Sequence, residues 1–178
     1  MRVNAGKWKG RSLSVPKGTR PTTDRVKEAL FSILGSMQGL SILDLYAGSG
    51  SLGIEALSRG AVSVAFVETS RQALRILAGN LPEPDEPAIE FIQQDVFEFL
   101  NQTIHSFDII FCDPPYNKVD YDELVDAFQA SQAVGDNTII MLEADRFHKF
   151  HCPAGLTLFD QRRFGDNLIY LYQRNKEV

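Results

Sequence analysis

From residue 41 onward, short apolar runs alternate with segments of helical period, and that alternation leaves few architectures open. Residues 41–46 (SILDLY), 63–68 (SVAFVE), 88–92 (AIEFI), 107–112 (FDIIFC) and 138–143 (TIIMLE) each read as a short strand. The fourth is so apolar that it belongs in the middle of a sheet. Between them the helices are marked by local signals. A helix runs from the turn after the first strand to Arg59, with Gly60 as its C′ residue. Ser70 caps a helix carrying Ala73, Leu74, Leu77 and Leu81 that Pro82 stops, and a short helix follows Asp95. Another spans 121–131 with Leu124, Val125 and Phe128 inward. Two final strands, 156–164 and 168–173, are joined through Gly165-Asp166-Asn167 and read as an antiparallel hairpin. Five βα units and a hairpin predict an α/β fold: a mostly parallel seven-stranded sheet with helices on both faces.

Upstream of this lie a short hairpin and a linker, residues 1–21, so the main domain is expected over 22–178. From Thr22 the apolar residues Val26, Ala29, Leu30, Ile33, Leu34 and Met37 form one helical stripe, ended by Gly39. The 178 residues suffice for one domain, and 44% hydrophobic with 23% charged residues excludes disordered and fibrous classes. No apolar run reaches the roughly 18 residues of a membrane span, and the start MRVNAGKWKG lacks the apolar core of a secretory signal. Cys112 and Cys152 stand far apart, which fits a reducing cytoplasm and predicts a cytoplasmic protein. Charge is uneven. Residues 1–27 hold eight Lys and Arg against Asp24, a balance of +7, and the rest of the chain is acidic, giving −5 overall. Such a basic segment suits a polyanion, with Arg2, Lys7, Lys9 and Arg11 as candidate RNA contacts and Trp8 as a base-stacking surface.

Ligands of open parallel sheets bind beyond the carboxyl ends of the strands. There the first strand runs into Gly48-Ser49-Gly50-Ser51-Leu52-Gly53, a G-x-G-x-x-G that lets backbone N–H groups approach a ligand. Glu68 ends the second strand 18 residues after Gly50, placed to accept hydrogen bonds from ribose hydroxyls. Together they indicate a nucleoside-containing cofactor without separating NAD from S-adenosylmethionine (SAM). Asp113-Pro114-Pro115-Tyr116 follows the fourth strand. Two prolines fix φ and remove two N–H donors, leaving rigid, accepting carbonyls. The Asp113 carboxylate and Pro114 carbonyl can hold both hydrogens of a planar amine, and Tyr116 can stack on the ring that carries it. His148, His151 and Cys152 have a metal-like spacing but no second donor group, so no metal is expected. Cys112 reads as a buried packing residue rather than a nucleophile.

The glycine turn after DLYA, Glu68, Asp95 and DPPY are similar to the class I SAM-dependent amino-methyltransferases. Arg20-Pro21-Thr22-Thr23-Asp24-Arg25, with Arg2-Val3, Gly6 and Lys9-Gly10-Arg11, resembles more narrowly the bacterial 16S rRNA guanine-N2 methyltransferases of the RsmD type. The resemblance covers essentially the whole chain. It implies a Rossmann-like methyltransferase fold with SAM as cofactor and Asp44, Gly48 and Gly50 on its methionine side. Glu68 would bind the ribose, Asp95 the adenine amine, and Arg20 or Thr22 the carboxylate. Asp113, Pro114 and Tyr116 would hold the target guanine. Asn4 and Thr69 depart from the family pattern.

Only 62 residues follow Tyr116, and the last helix and strands use nearly all of them. No separate target-reading domain is expected, so the target must be presented by its own structure, as in an RNA loop or an assembling small subunit. A monomer is expected. Other enzymes could use the same chemistry on DNA adenine-N6 or protein glutamine, and the glycine motif alone would admit an NAD dehydrogenase. If the basic segment neutralises RNA phosphates, log affinity should fall with log salt by about 0.7 per phosphate contacted. Filter binding across a salt series checks this, and a flat line removes the segment from RNA binding.

Overall fold

The computed structural model describes residues 1–16, 23–82, 88–115, 118–145 and 155–174. In chain order it contains α1 (Asp24–Leu34), β1 (Ser41–Leu45), α2 (Ser51–Ser58), β2 (Ser63–Val67), α3 (Arg71–Asn80) and β3 (Ala88–Ile92). Then come α4 (Val96–Gln102), β4 (Phe107–Cys112), α5 (Tyr121–Ala130), β5 (Val134–Asp145), β6 (Leu156–Phe164) and β7 (Asn167–Arg174). The seven strands form one sheet ordered β3-β2-β1-β4-β5-β7-β6. The first five are parallel, and β7 inserts antiparallel between β5 and β6. The expected α/β sheet with its closing hairpin is therefore present. Strand order reverses between β1 and β4, where connections leave in opposite directions and open a crevice.

Each face of the sheet carries its own core. Leu43, Leu45, Ile110, Cys112, Leu142 and Tyr172 pack under α4 and α5. Ile42, Phe66, Ile109, Phe111, Met141 and Leu171 pack against α1 and α2 on the other side. The period-two alternation of these sets is that of strands buried on both faces.

Helix α1 differs from the stripe read in the sequence. It stops at Leu34, where Gly35 takes φ 77°, four residues before Gly39. Its buried residues are Lys27, Leu30 and Phe31, while Ile33 is exposed. The left-handed Gly35 ends the helix, and a buried ion pair puts a cation on its inner face. Lys27 is fully buried, donates to the Arg2 carbonyl at 2.6 Å and lies 3.3 Å from the equally buried Glu55 of α2. The strand expected from Thr138 starts earlier, at Val134, with an irregular register between Phe107 and Ile109.

The N-terminal hairpin is closed by the bridge between Arg2 and Ser12, and Val3 and Leu13 join the α1/α2-side core. Glu55 fastens it there. Its carboxylate accepts from Asn4 N (2.7 Å), Ala5 N (3.0 Å) and Arg59 Nε (2.8 Å) as well as from Lys27. Ser58, one turn on, receives Trp8 N and its carbonyl receives Lys7 N. Helix α2 is thus the splint between hairpin and sheet.

Glu55→Ala strands the Lys27 ammonium and two hairpin N–H groups together. It should lower unfolding free energy by about 3–5 kcal/mol in urea titration. Lys27→Met leaves Glu55 with its other donors and should cost less than half as much.

Candidate active site

Where β1 ends, the chain must turn sharply to start α2 on the same side of the sheet. Tyr46 adopts φ 55°, left-handed and strained for a bulky residue. Ala47 N then donates to Val67 O on β2, and Gly50 N to Ala47 O. Gly50, at φ 73°, caps α2, and a side chain on it would run into Leu77, 2.6 Å away. Gly53 allows α2 to lie on β2, since its Cβ would stand 2.3 Å from Phe66. Gly48 is different. At φ 53° its nearest obstacle is the Tyr46 carbonyl at 3.8 Å, so this face of the turn is open to a ligand.

Two carboxylates frame the turn. Asp44, on β1, is 3% exposed and accepts from Gly53 N at 2.9 Å. Burial, offset in part by that hydrogen bond and reinforced by the charge of Glu68, pushes its carboxyl up to about 7. Glu68, leaving β2, accepts from Gly48 N (3.1 Å) and Ser70 N (2.8 Å), so it is tied to the glycine turn. Asp95 caps α4, accepting from Phe97 N and Glu98 N through Oδ1, and is exposed at the end of β3. These residues fit a nucleoside: an open backbone cradle on one strand with fixed acceptors at the ends of the next two.

The Asp113-Pro114-Pro115 turn follows β4. Register sets Asp44 opposite Phe111 and Leu45 opposite Cys112, so the glycine turn and Asp113 leave neighbouring strands at one level. Asp113 is half-buried, Pro114 buried and Pro115 exposed. The Pro115 carbonyl is engaged in a turn by Lys118 N. Cys112 is fully buried, and burial together with the nearby charges of Asp113 and Asp44 raises its thiol well above the usual range. It packs and does not attack. Tyr116, Arg20 and Thr22 lie outside the described residues, as do His148, His151 and Cys152.

The flanks of the 17–22 segment are placed nonetheless. Asn80, buried at the end of α3, exchanges hydrogen bonds with Ser14 N and Ser14 O and also donates to Ser49 O in the glycine turn. On the other side Thr23 caps α1. Neither Asn80 nor Tyr46 stood out in the sequence. An Asn before Leu-Pro looks like a plain helix end, and only a backbone angle marks Tyr46. Burial and neighbouring Cys112, Asp95 and Tyr121 push the Tyr46 phenol upward.

Of the basic residues, Arg2, Lys7, Lys9 and Arg11 are all exposed. Arg2 lies 3.6 Å from Asp24, and Lys7 sits 4.5 Å over the Trp8 ring. Arg11 donates to the Asn80 and Leu81 carbonyls. Among the described residues no group of acids, cysteines or histidines is arranged to hold a metal, and no helix is long and apolar enough to cross a membrane.

A glycine turn on β1, a carboxylate at the end of β2 and an Asp-Pro-Pro turn on the adjacent β4, all at the carboxyl edge of the sheet, are the layout of a Rossmann-like methyltransferase. Comparison with known proteins agrees. The family described as conserved hypothetical protein 95 matches residues 1–173, and the chain belongs to it. Ribosomal RNA small subunit methyltransferase D of Escherichia coli strain K12 is 33% identical over 181 residues, covering 99% of this chain and 91% of that protein. A putative rRNA methyltransferase, YlbH, of Bacillus subtilis is 38% identical over 182 residues, covering 98% and 99%. The solved structure of the putative methyltransferase yhhF from Escherichia coli superposes with a TM-score of 0.89 at 31% identity, covering 99% of each chain.

A carboxyl whose folded pKa lies above its unfolded value stabilises the fold at low pH and loses that contribution as pH rises. For Asp44 the loss runs from about pH 4 to about pH 7. Asp44→Asn should therefore match the parent near pH 4 and exceed it at pH 8 by on the order of 1–4 kcal/mol in urea titration.

Proposed function

We propose that this chain transfers a methyl group from SAM to the exocyclic N2 amine of a guanine in small-subunit ribosomal RNA. The observation that carries this reading is the β1–β4 register, which sets the open glycine turn beside Asp113 and Pro114. The relatives named for small-subunit rRNA methylation support the choice of substrate. No observation favours DNA or protein as target.

When bound, SAM supplies an electrophilic methyl on its sulfonium. Gly48 and Gly50 would admit its methionine end, with Asp44 buttressing the turn through Gly53 N. Glu68 would meet the ribose and Asp95 the adenine amine, with Arg20 or Thr22 reaching the carboxylate. The Asp113 carboxylate and the Pro114 carbonyl would accept the two hydrogens of guanine N2, and Tyr116 would stack on the base. A guanine amine is a poor nucleophile because its lone pair is delocalised into the ring. Two fixed acceptors favour its rehybridisation and stabilise the positive charge that develops on nitrogen. Positioning of the two reactants supplies up to about 7–11 kcal/mol.

The exposed cations Arg2, Lys7, Lys9 and Arg11 would contact RNA phosphates around the target. The substrate would be rRNA or an assembly intermediate of the small subunit, met by a monomer in the cytoplasm. The proposed boundary between hairpin-linker (1–21) and methyltransferase domain (22–178) falls outside the described residues.

Asp113→Ala tests this directly. Transfer of tritiated methyl to small-subunit RNA should drop by at least about 10³-fold while calorimetric SAM affinity stays within a few-fold. Near-parental turnover in that variant would sink the assignment.

A further inference from the structure

Strand β5 runs beside β4 and delivers a second carboxylate to the same place. Cys112 pairs with Leu142, so the next residues, Asp113 and Glu143, leave the two strands at one level, about 4.8 Å apart by strand spacing. Phe111 and Met141 both belong to the core under α1 and α2, and the two-residue side-chain period carries Glu143 to that layer, where it faces its partner Ile169 of β7. Glu143 is 3% exposed. Asn167, in the first position of β7, donates its amide to Glu143 Oε1 and so fixes the plane of the carboxylate.

We propose that Glu143 accepts the N1–H of the target guanine and thereby selects guanine over purines that carry a lone pair at N1. The proposal rests on the guanine-N2 reading above and adds the group that tells one purine from another. Asp113 and Pro114 can recognise any ring amine, including that of adenine, so they carry no selectivity. On guanine, the N1–H lies immediately beside N2 on the Watson–Crick edge, and flipped bases are read along that edge. An amine seated on Asp113 therefore brings N1 toward the neighbouring strand end. A carboxylate there completes a donor–acceptor match for guanine and opposes the N1 lone pair of adenine or 2-aminopurine.

The test uses the full chain, SAM, and two synthetic small-subunit rRNA fragments that carry guanine or 2-aminopurine at the methylated position. 2-Aminopurine keeps the N2 amine and replaces N1–H by an acceptor. The parent protein should methylate the 2-aminopurine fragment with kcat/KM about 10²-fold lower than guanine. Glu143→Gln can present an amide donor instead. It should lose about 10²-fold on guanine and raise the 2-aminopurine-to-guanine ratio at least tenfold, with SAM affinity within a few-fold of parent. Equal losses on both fragments would mean that Glu143 is structural only, and would overturn the inference. Equal rates of the parent on both fragments would overturn it without any variant. A parent that binds SAM but modifies neither fragment, whether free or assembled with small-subunit ribosomal proteins, would refute the guanine-N2 reading itself.

Discussion

The parallel pairing of β1 with β4 is the constraint on which the rest depends. These strands are adjacent in the sheet but far apart in sequence, and between them the chain makes two complete βα excursions. Only their pairing brings a glycine turn at residue 48 to the level of an Asp-Pro-Pro turn at residue 113. The pair is held by burial on both faces: Leu43, Leu45, Ile110 and Cys112 on one side, Ile42, Ile109 and Phe111 on the other. A slip of one residue would exchange those sets between faces and turn Asp44 away from α2. The site thus inherits its precision from apolar packing that touches no substrate.

A second set of contacts ties the N-terminal hairpin to the same turn. Glu55 and Ser58 lie in the helix that the glycine turn begins, and both are bound to hairpin backbone. Asn80 links Ser14 to the Ser49 carbonyl inside the turn itself. The basic segment read from the sequence as an RNA arm is therefore continuous with the glycine turn. Lys27 closes the triangle from α1.

Local chemistry was what the sequence disclosed well. Strand β3 falls on residues 88–92 as read, and α2 ends with Gly60 at φ 107° as its composition required. Gly165 takes φ 64° in the turn between β6 and β7. Each of these is decided by neighbours within a few residues. The burial of Lys27 was not legible, because a helical stripe counts only apolar residues, whereas this burial depends on a glutamate 28 positions later. The early start of β5 depends on Val134 pairing with Phe107, again a distant partner. In the candidate site, Gly48, Gly50, Glu68 and Asp113 were legible as strand-end motifs, and Asp44 only through the family resemblance. Glu143 was read only as the last residue of a strand, since nothing in its own neighbourhood tells that β4 lies alongside.

Tyr46 shows why such a site is built before its ligand arrives. A left-handed tyrosine costs roughly 1–2 kcal/mol, and a glycine would remove that strain. The ring, however, packs against the core under α4 and α5, near Cys112, Asp95 and Tyr121. A glycine would give up that packing and free the turn to relax. The backbone on either side is fixed as well, by Ala47 N on Val67 O and Gly50 N on Ala47 O. The cost of the strained angle is therefore spread over contacts that exist without cofactor. The backbone of the turn is set before any ligand binds, so binding need not supply the energy to order it. The same economy holds on β4, where two prolines stiffen the turn after Asp113. Both halves of the site are rigid for local reasons, and their relative position is rigid because the sheet between them is.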